Sequence, residues 1–342
     1  MTSQPISPIS KAVAPLYLGI DVGGTGIKIG VVDNEGKTLG FVAIPTEESR
    51  GPSDAMHRVS VSASELLASL GLTCQDIVRA GLGTPGSQDI SKGMLIEPPN
   101  HPHWHNFPIV KCLEDAIGLP VSFANDANAA AFGEFWVGTG KVYSSMVLLT
   151  LGTGVGGGII IDNQLVVGQN SFGGECGHMI IDPRPDARLC VWGGGRGHLE
   201  AYASASGVAQ RAKEELVAGA VSSLQKNVDA ITTKMIYEAA ESGDAFSLKI
   251  IDETADYLAL GIATIVHTLD PGLIVLGGAM NFGGAQSPVG IRFLRRVEES
   301  FKRRSFEYVA HGTKIEFASL GSDAGYLGAA GIARMEFMKL TT

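Results

Sequence analysis

The chain contains two stretches of the same construction, and they constrain its fold more than any other feature. Leu16–Ile20 is a short apolar run that ends at Asp21-Val22-Gly23-Gly24-Thr25-Gly26. Ile27–Val32 then resumes the apolar run, up to Asp33-Asn34. Further on, Val142–Leu151 ends at Gly152-Thr153-Gly154-Val155-Gly156-Gly157-Gly158, and Ile159–Ile161 leads to Asp162-Asn163. Each stretch reads as strand, Gly/Thr turn, strand, Asp-Asn turn. When Val31-Val32-Asp33-Asn34 is set against Ile160-Ile161-Asp162-Asn163, Gly23 falls on Gly152. This is the pattern of one hairpin occurring twice, once per domain. Turns of Gly and Thr let backbone N–H groups converge with no Cβ between them, and such concave clusters bind phosphate. Two opposed phosphate turns predict a nucleotide in a cleft between two domains.

The length suits that arrangement, because 342 residues make two domains at about 100–200 residues each. A chain 45% hydrophobic and 18% charged is neither disordered nor fibrous. Its 45 glycines follow no Gly-X-Y period, which excludes collagen. They cluster, as tight turns or close approach to a ligand require. With 26 basic against 35 acidic residues and a net charge of −9, no basic face is visible, and no nucleic-acid partner is expected. Arg292 to Arg304 is interrupted by Glu298 and Glu299 and reads as a solvated helix face. Cys74, Cys112, Cys176 and Cys190 lie far apart with no secretory signal. That predicts a reducing, cytoplasmic setting. No run of about 18 apolar residues exists, so no membrane span is expected.

Strand and helix signals alternate between and after the hairpins. Helices are expected over residues 53–70, 108–117 and 125–137, most of 199–270, 291–304 and 324–338. Further strands are expected at 77–83, 121–124, 273–276 and 314–318. The class is α/β, with mixed sheets flanked by helices around a central cleft. The expected division is a flexible tail at 1–15, a small α/β domain of 16–124 plus 323–342, and a large α/β domain of 125–322. Gly81-Leu82-Gly83-Thr84-Pro85-Gly86 and Gly152–Gly157 match the dinucleotide-binding spacing, but neither opens a helix. Gly36-Lys37-Thr38 ends like a P-loop, with Gly30 one residue too far upstream.

Five motifs, in order, carry a resemblance: Asp21-Val22-Gly23-Gly24-Thr25, Asn125-Asp126-Ala127-Asn128-Ala129, Leu149-Thr150-Leu151-Gly152-Thr153-Gly154, Gly174-Glu175-Cys176-Gly177-His178 and Gly197-His198-Leu199-Glu200. Together they resemble the ROK family of sugar kinases, which has the two-domain, actin-like and hexokinase-type ATPase fold of the ribonuclease H-like class. The resemblance covers the chain from about Leu16 to its last helix. It implies ATP-dependent phosphorylation of a hexose hydroxyl with Mg²⁺, most often on glucose, by a cytoplasmic enzyme that is often a homodimer. It implies Asp126 as general base, since a sugar hydroxyl attacking phosphate needs a carboxylate within hydrogen-bond reach. Helix capping is the other role open to Asp126, and Asn125 fills it equally well.

By the same resemblance the sugar is held by Gly86, Asn100, Asn125, Asp126, Glu175, His178 and Glu200. The nucleotide falls to Asp21, Gly23, Gly24, Thr25, Lys28, Gly152, Thr153, Gly154, Gly277 and Gly278, with Asp21 suited to a hydrated Mg²⁺. One departure concerns metal. The family's structural zinc loop, with a His and three Cys, is here Cys190-Val191-Trp192-Gly193-Gly194-Gly195-Arg196-Gly197-His198, one residue longer and two cysteines short. Only His178, Cys190 and His198 remain for a variant site, against the four ligands a structural zinc takes. The expectation is therefore a loop without zinc. Fructose, mannose and N-acetylhexosamines are alternative acceptors, and polyphosphate an alternative donor. A non-catalytic sugar-sensing protein is the rival of another class. The first hairpin begins at Leu16, leaving no room for the helix-turn-helix that family repressors carry. Closure of the two domains on sugar is expected, with hinges near Asn125 and at the last helix.

Overall fold

The computed structural model describes residues 4–98, 101–190 and 195–341. The chain opens with an antiparallel meander: β1 (Leu16–Val22), β2 (Gly26–Val32) and β3 (Thr38–Pro45). Helix α1 (Pro52–Ser69) carries it back to β4 (Ile77–Thr84), which pairs parallel with β1. A small ribbon, β5 (Gln88–Asp89) and β6 (Met94–Leu95), precedes α2 (Ile109–Ile117) and β7 (Val121–Asn125), and α3 (Asp126–Trp136) follows directly.

The pattern then repeats. Strands β8 (Met146–Leu151), β9 (Val155–Ile161) and β10 (Gln164–Leu165) form the second meander. Four helices follow: α4 (Glu200–Ala203), α5 (Ala205–Val217), α6 (Thr233–Glu241) and α7 (Ala245–Leu269). They lead to β11 (Leu273–Gly277), parallel to β8. Then come α8 (Pro288–Lys302), α9 (Glu307–Gly312), β12 (Lys314–Phe317) and α10 (Ala324–Thr341). The sheet orders are β3-β2-β1-β4-β7 and β10-β9-β8-β11-β12. These are one topology used twice, and both hairpin turns are three residues long, 23–25 and 152–154. The duplication visible in the two Asp-Asn endings is thus a duplication of whole sheets.

Besides the two-residue strands β5, β6 and β10, two elements go beyond the expected pattern. Strand β3 is the edge partner of β2, and from Phe41 on it is only half-buried or exposed, so the apolar alternation that announces a strand is weak there. Helix α9 spans six residues, too short to show a period. In the second meander β8 begins at Met146 rather than Val142. The preceding residues are held in turns by Gly140 and Tyr143 N–H groups bonding to Glu134 and Gly140 carbonyls, at 2.8 and 2.9 Å.

Helix α10 decides how the two halves meet. It lies on the first sheet, where Gly19 of β1 and Gly81 of β4 leave room for the carbonyls of Tyr326 and Ala329; a Cβ at either glycine would overlap them. It crosses α3 at Gly328 over the Ala129 carbonyl, and at Gly133 beside Ala324. Part of the glycine excess therefore serves close helix packing rather than ligand contact. The fully buried Glu134 of α3 secures the approach to α10. Its carboxylate accepts from the N–H groups of Leu320 (2.7 Å) and Thr139 (2.9 Å) and from the Ser319 hydroxyl (3.1 Å). The N-terminal residues run along this body: Gln4 N–H donates to Asp323 Oδ2 at 2.9 Å, and Ser7 N–H to the Thr38 carbonyl at 2.8 Å. Among the described residues no helix is long and apolar enough to cross a membrane.

Candidate active site

The site forms where β7 passes into α3. Asn125 ends the strand in extended backbone and caps the helix: its Oδ1 accepts the Ala127 N–H at 2.9 Å. Asp126 is the first helical residue, and its Oδ1 accepts the same N–H at 2.8 Å. The capping role thus falls to Asn125, and Asp126 stands with its carboxylate in a cleft of about 770 Å³ between the two sheets.

Gly86, after β4, and Asn125 and Asp126, at the β7–α3 junction, line this cleft. From the second half come the whole turn Gly152, Thr153 and Gly154, together with Glu175, His178, Glu200 and Gly278. Gly278 follows β11 with φ 89, in the left-handed region. A Cβ there would fall on the Leu151 backbone, so only glycine lets β11 turn this close to the Gly152–Gly154 hairpin. The first hairpin lies at the edge of the site. Gly23, Gly24 and Thr25 form its turn, with Gly23 N–H bonded to the Gly26 carbonyl at 2.9 Å, and none of the three lines the cavity. Asp21 lies at the end of β1 against Gly325 of α10, with Lys28 Nζ 4.0 Å from its Oδ2. Lys28 also donates to the Ser322 carbonyl. Gly277 is inside β11, beside Leu148 and Ala318, and does not reach the cleft. Asn100 lies outside the described residues.

The electrostatics follow from this convergence of acids. Burial, and then the nearby Asp21 carboxylate, push the Asp126 carboxyl up to about 7. Burial also raises Asp21, partly offset by Lys28. Burial raises Glu175 as well, with His178 acting the other way. Glu200 is buried at the start of α4, where its Oε2 accepts the Val155 N–H at 2.9 Å and Cys190 Sγ donates to its Oε1 at 3.4 Å. It therefore braces β9 just past the Gly152–Gly154 turn. That turn is also held from α5, where Ala205 N–H donates to the Gly152 carbonyl (2.8 Å) and the Ser206 hydroxyl to the Thr153 carbonyl (2.9 Å).

The structure gathers His178, Cys190 and His198, their ligand atoms all within 4.8 Å of one another. The two Nδ1 atoms are 3.1 Å apart, close to the edge of a tetrahedral zinc site, about 3.3 Å for Zn–N bonds of about 2.05 Å. Among the described residues no fourth His, Cys, Asp or Glu joins them.

A second cavity of about 440 Å³ adjoins the first at Gly152 and Thr153. Tyr237 of α6 and Met280 and Phe282, after β11, give it an apolar wall. None of these residues belongs to a recognisable motif. The one local sign is backbone strain at Phe282, whose φ is 51, just before Gly283, which takes φ 84 freely.

Residues 17–336 match the ROK family. The chain belongs to the ROK family. It is 34% identical over 323 residues to the glucokinase of Halalkalibacterium halodurans, covering 94% of this chain and 95% of that one. The ROK hexokinase of Thermus thermophilus superposes with a TM-score of 0.79 at 30% identity, over 95% and 99% of the two chains. The ROK glucokinase of Streptomyces griseus, solved in complex with glucose and AMPPNP, gives 0.73 at 33% identity, over 94% and 99%. The duplicated sheets are thus the two halves of the actin-like ATPase fold of ROK sugar kinases.

Proposed function

We propose that this ROK sugar kinase transfers the γ-phosphoryl group of ATP to the 6-hydroxyl of glucose, with Asp126 as general base. The observation that carries this reading is the Asp126 carboxyl itself. It is held at about 7 in a cleft that also contains a glycine-rich phosphate turn. A general base works best when its pKa lies near the working pH. Asp126 takes the hydroxyl proton as the oxygen attacks, while Asn125, Glu175, His178, Glu200 and the backbone at Gly86 hold the other hydroxyls. A site built of such groups rejects analogues that leave them unpaired.

The Gly152-Thr153-Gly154 turn presents N–H groups to the phosphates from one side. The Gly23-Gly24-Thr25 turn and Lys28 do so from the other once the lobes close. Adenosine occupies the cavity walled by Tyr237, Met280 and Phe282, with Gly278 as its shelf. Asp21 fits a hydrated Mg²⁺: it is a hard oxygen ligand whose burial is partly relieved by Lys28, 4.0 Å away. When bound, Mg²⁺ neutralises charge on the phosphate oxygens. Residues 16–124 with 323–342 form one lobe and 125–322 the other, meeting at the α3–α10 crossing. A lower radius of gyration in small-angle scattering with saturating glucose checks their closure.

The direct test is a coupled assay with ATP and Mg²⁺ over glucose, fructose, mannose, N-acetylglucosamine and N-acetylmannosamine. The highest kcat/KM is expected on glucose, and turnover of none of them would sink the reading. The pH dependence has a definite sign. Asp126 is active as the carboxylate, so kcat/KM should climb with a slope of about one decade per pH unit below 7 and level off above it. A profile flat from pH 5.5 to 8 would remove Asp126 as the base.

A further inference from the structure

The kinase reading leaves Phe172 unused. It lines the sugar cleft with Gly86, Asp126 and Glu175, yet 53% of it is exposed. An open phenyl ring forgoes the stabilisation of burial, and the loop that carries it is built to hold it there. Ser171, just before it, has φ 64, a left-handed conformation that an L-residue other than Gly adopts only at some expense of energy. Its hydroxyl accepts the N–H of Ile90, across the cleft from the first half, at 3.0 Å. Just after it, Gly173 N–H donates to the Val167 carbonyl at 2.7 Å, and a Cβ on Gly173 would lie 2.6 Å from the Val166 carbonyl. The loop is pinned on both sides of the ring. The platform is set before any ligand arrives, and little ordering remains for binding to do.

Pyranose chemistry supplies the complement. A pyranose ring has a hydroxyl rim and two C–H faces. Asn125, Asp126, Glu175 and Glu200 serve the rim. Among the described residues lining the cleft, Phe172 carries the only phenyl or indole ring. We propose that Phe172 is a substrate-binding residue that stacks on the C–H face of the pyranose ring, adding affinity for the sugar without taking part in phosphoryl transfer. This rests on the sugar-kinase reading. The ring makes no hydrogen bonds, so it reads shape. An axial hydroxyl on the stacked face would lift the sugar off it, and an all-equatorial pyranose such as glucose would lie flat.

Calorimetric titration of the full chain with glucose, beside steady-state kinetics, tests this. Phe172→Ala should weaken glucose binding and raise its KM about tenfold, with kcat changing by less than about twofold and the KM for ATP unchanged. Phe172→Tyr and Phe172→Trp should restore the affinity, and Phe172→Leu should not. Glucose affinity unchanged in Phe172→Ala, or full restoration by Leu, would overturn the proposal. So would a wild-type protein that binds no pyranose. A wild type that binds glucose without phosphorylating it would strike the kinase reading alone, because the binding comparison still decides the role of the ring.

Discussion

Asp126→Asn will lower kcat for glucose about a thousandfold, within the range of a lost general base, and leave the KM values nearly unchanged. The substitution keeps the shape of the side chain and its acceptor toward the Ala127 N–H, and it removes only the group that takes the proton. The same variant will be more stable than the wild type above pH 7. Burial raises the Asp126 pKa to about 7 from an ordinary 3.8, so the folded state holds a proton that the unfolded chain releases. Wild-type stability therefore falls through this group as pH rises from about 4 to 7, and the whole penalty stands above 7. At pH 8 the Asn variant should gain up to about 4 kcal/mol, and at pH 3.5 almost nothing. Melting temperatures of both proteins at the two pH values, with steady-state kinetics, check the pair. An Asn variant that is inactive but no more stable at pH 8 would mean that Asp126 is ordinarily ionised in the fold.

Gly328→Ala will destabilise the protein by about 3 kcal/mol or more and lower its melting temperature by roughly 6–10 °C. In an isolated helix this change would help, by about 1 kcal/mol. Here the new methyl group would overlap the Ala129 carbonyl at the α3–α10 crossing, with the Gly133 N–H also close by. Backbone meets backbone there, so neither side yields by changing a rotamer, and the helices must separate. Gly312→Ala is the control: a Cβ at Gly312 meets nothing within 4 Å, and its stability should move by less than about 0.5 kcal/mol. If Gly328→Ala melts with the wild type, the crossing is looser than described. The larger loss should be in activity, because α3 begins at Asp126 and the crossing sets the two lobes that face it.

These two residues also show how far the chain was legible before it was folded. Asp126 stood out as a carboxylate at a strand-to-helix junction, inside a set of motifs whose order points to one family. The sequence left open whether it or Asn125 caps α3. That depended on backbone geometry at the end of β7, where Asn125 is extended and Asp126 already helical. Gly328 carried no signal at all. It lies in a helix beside Leu327 and Ala329, and its constraint comes from Ala129, far away along the chain. Gly19 and Gly81 are alike in this: each lies within a strand because α10, the last helix in the chain, rests on them.

The sequence by itself determined the local grammar: two glycine turns between apolar strands, the alternation of strand and helix, and the repeated Asp-Asn endings, while the candidate site residues came through the family resemblance that five ordered motifs carry. Periodicity and turn chemistry act between neighbours and can be read in order. Tertiary structure alone decided the rest. It brought His178, Cys190 and His198, already a candidate set in the sequence, within reach of one another, built the apolar cavity of Tyr237, Met280 and Phe282, raised the Asp126 pKa, and left Phe172 open in the cleft. Each of these depends on what a residue meets from distant parts of the chain. Desolvation, close approach and enclosure are properties of a packed volume, and spacing along a chain does not encode them residue by residue.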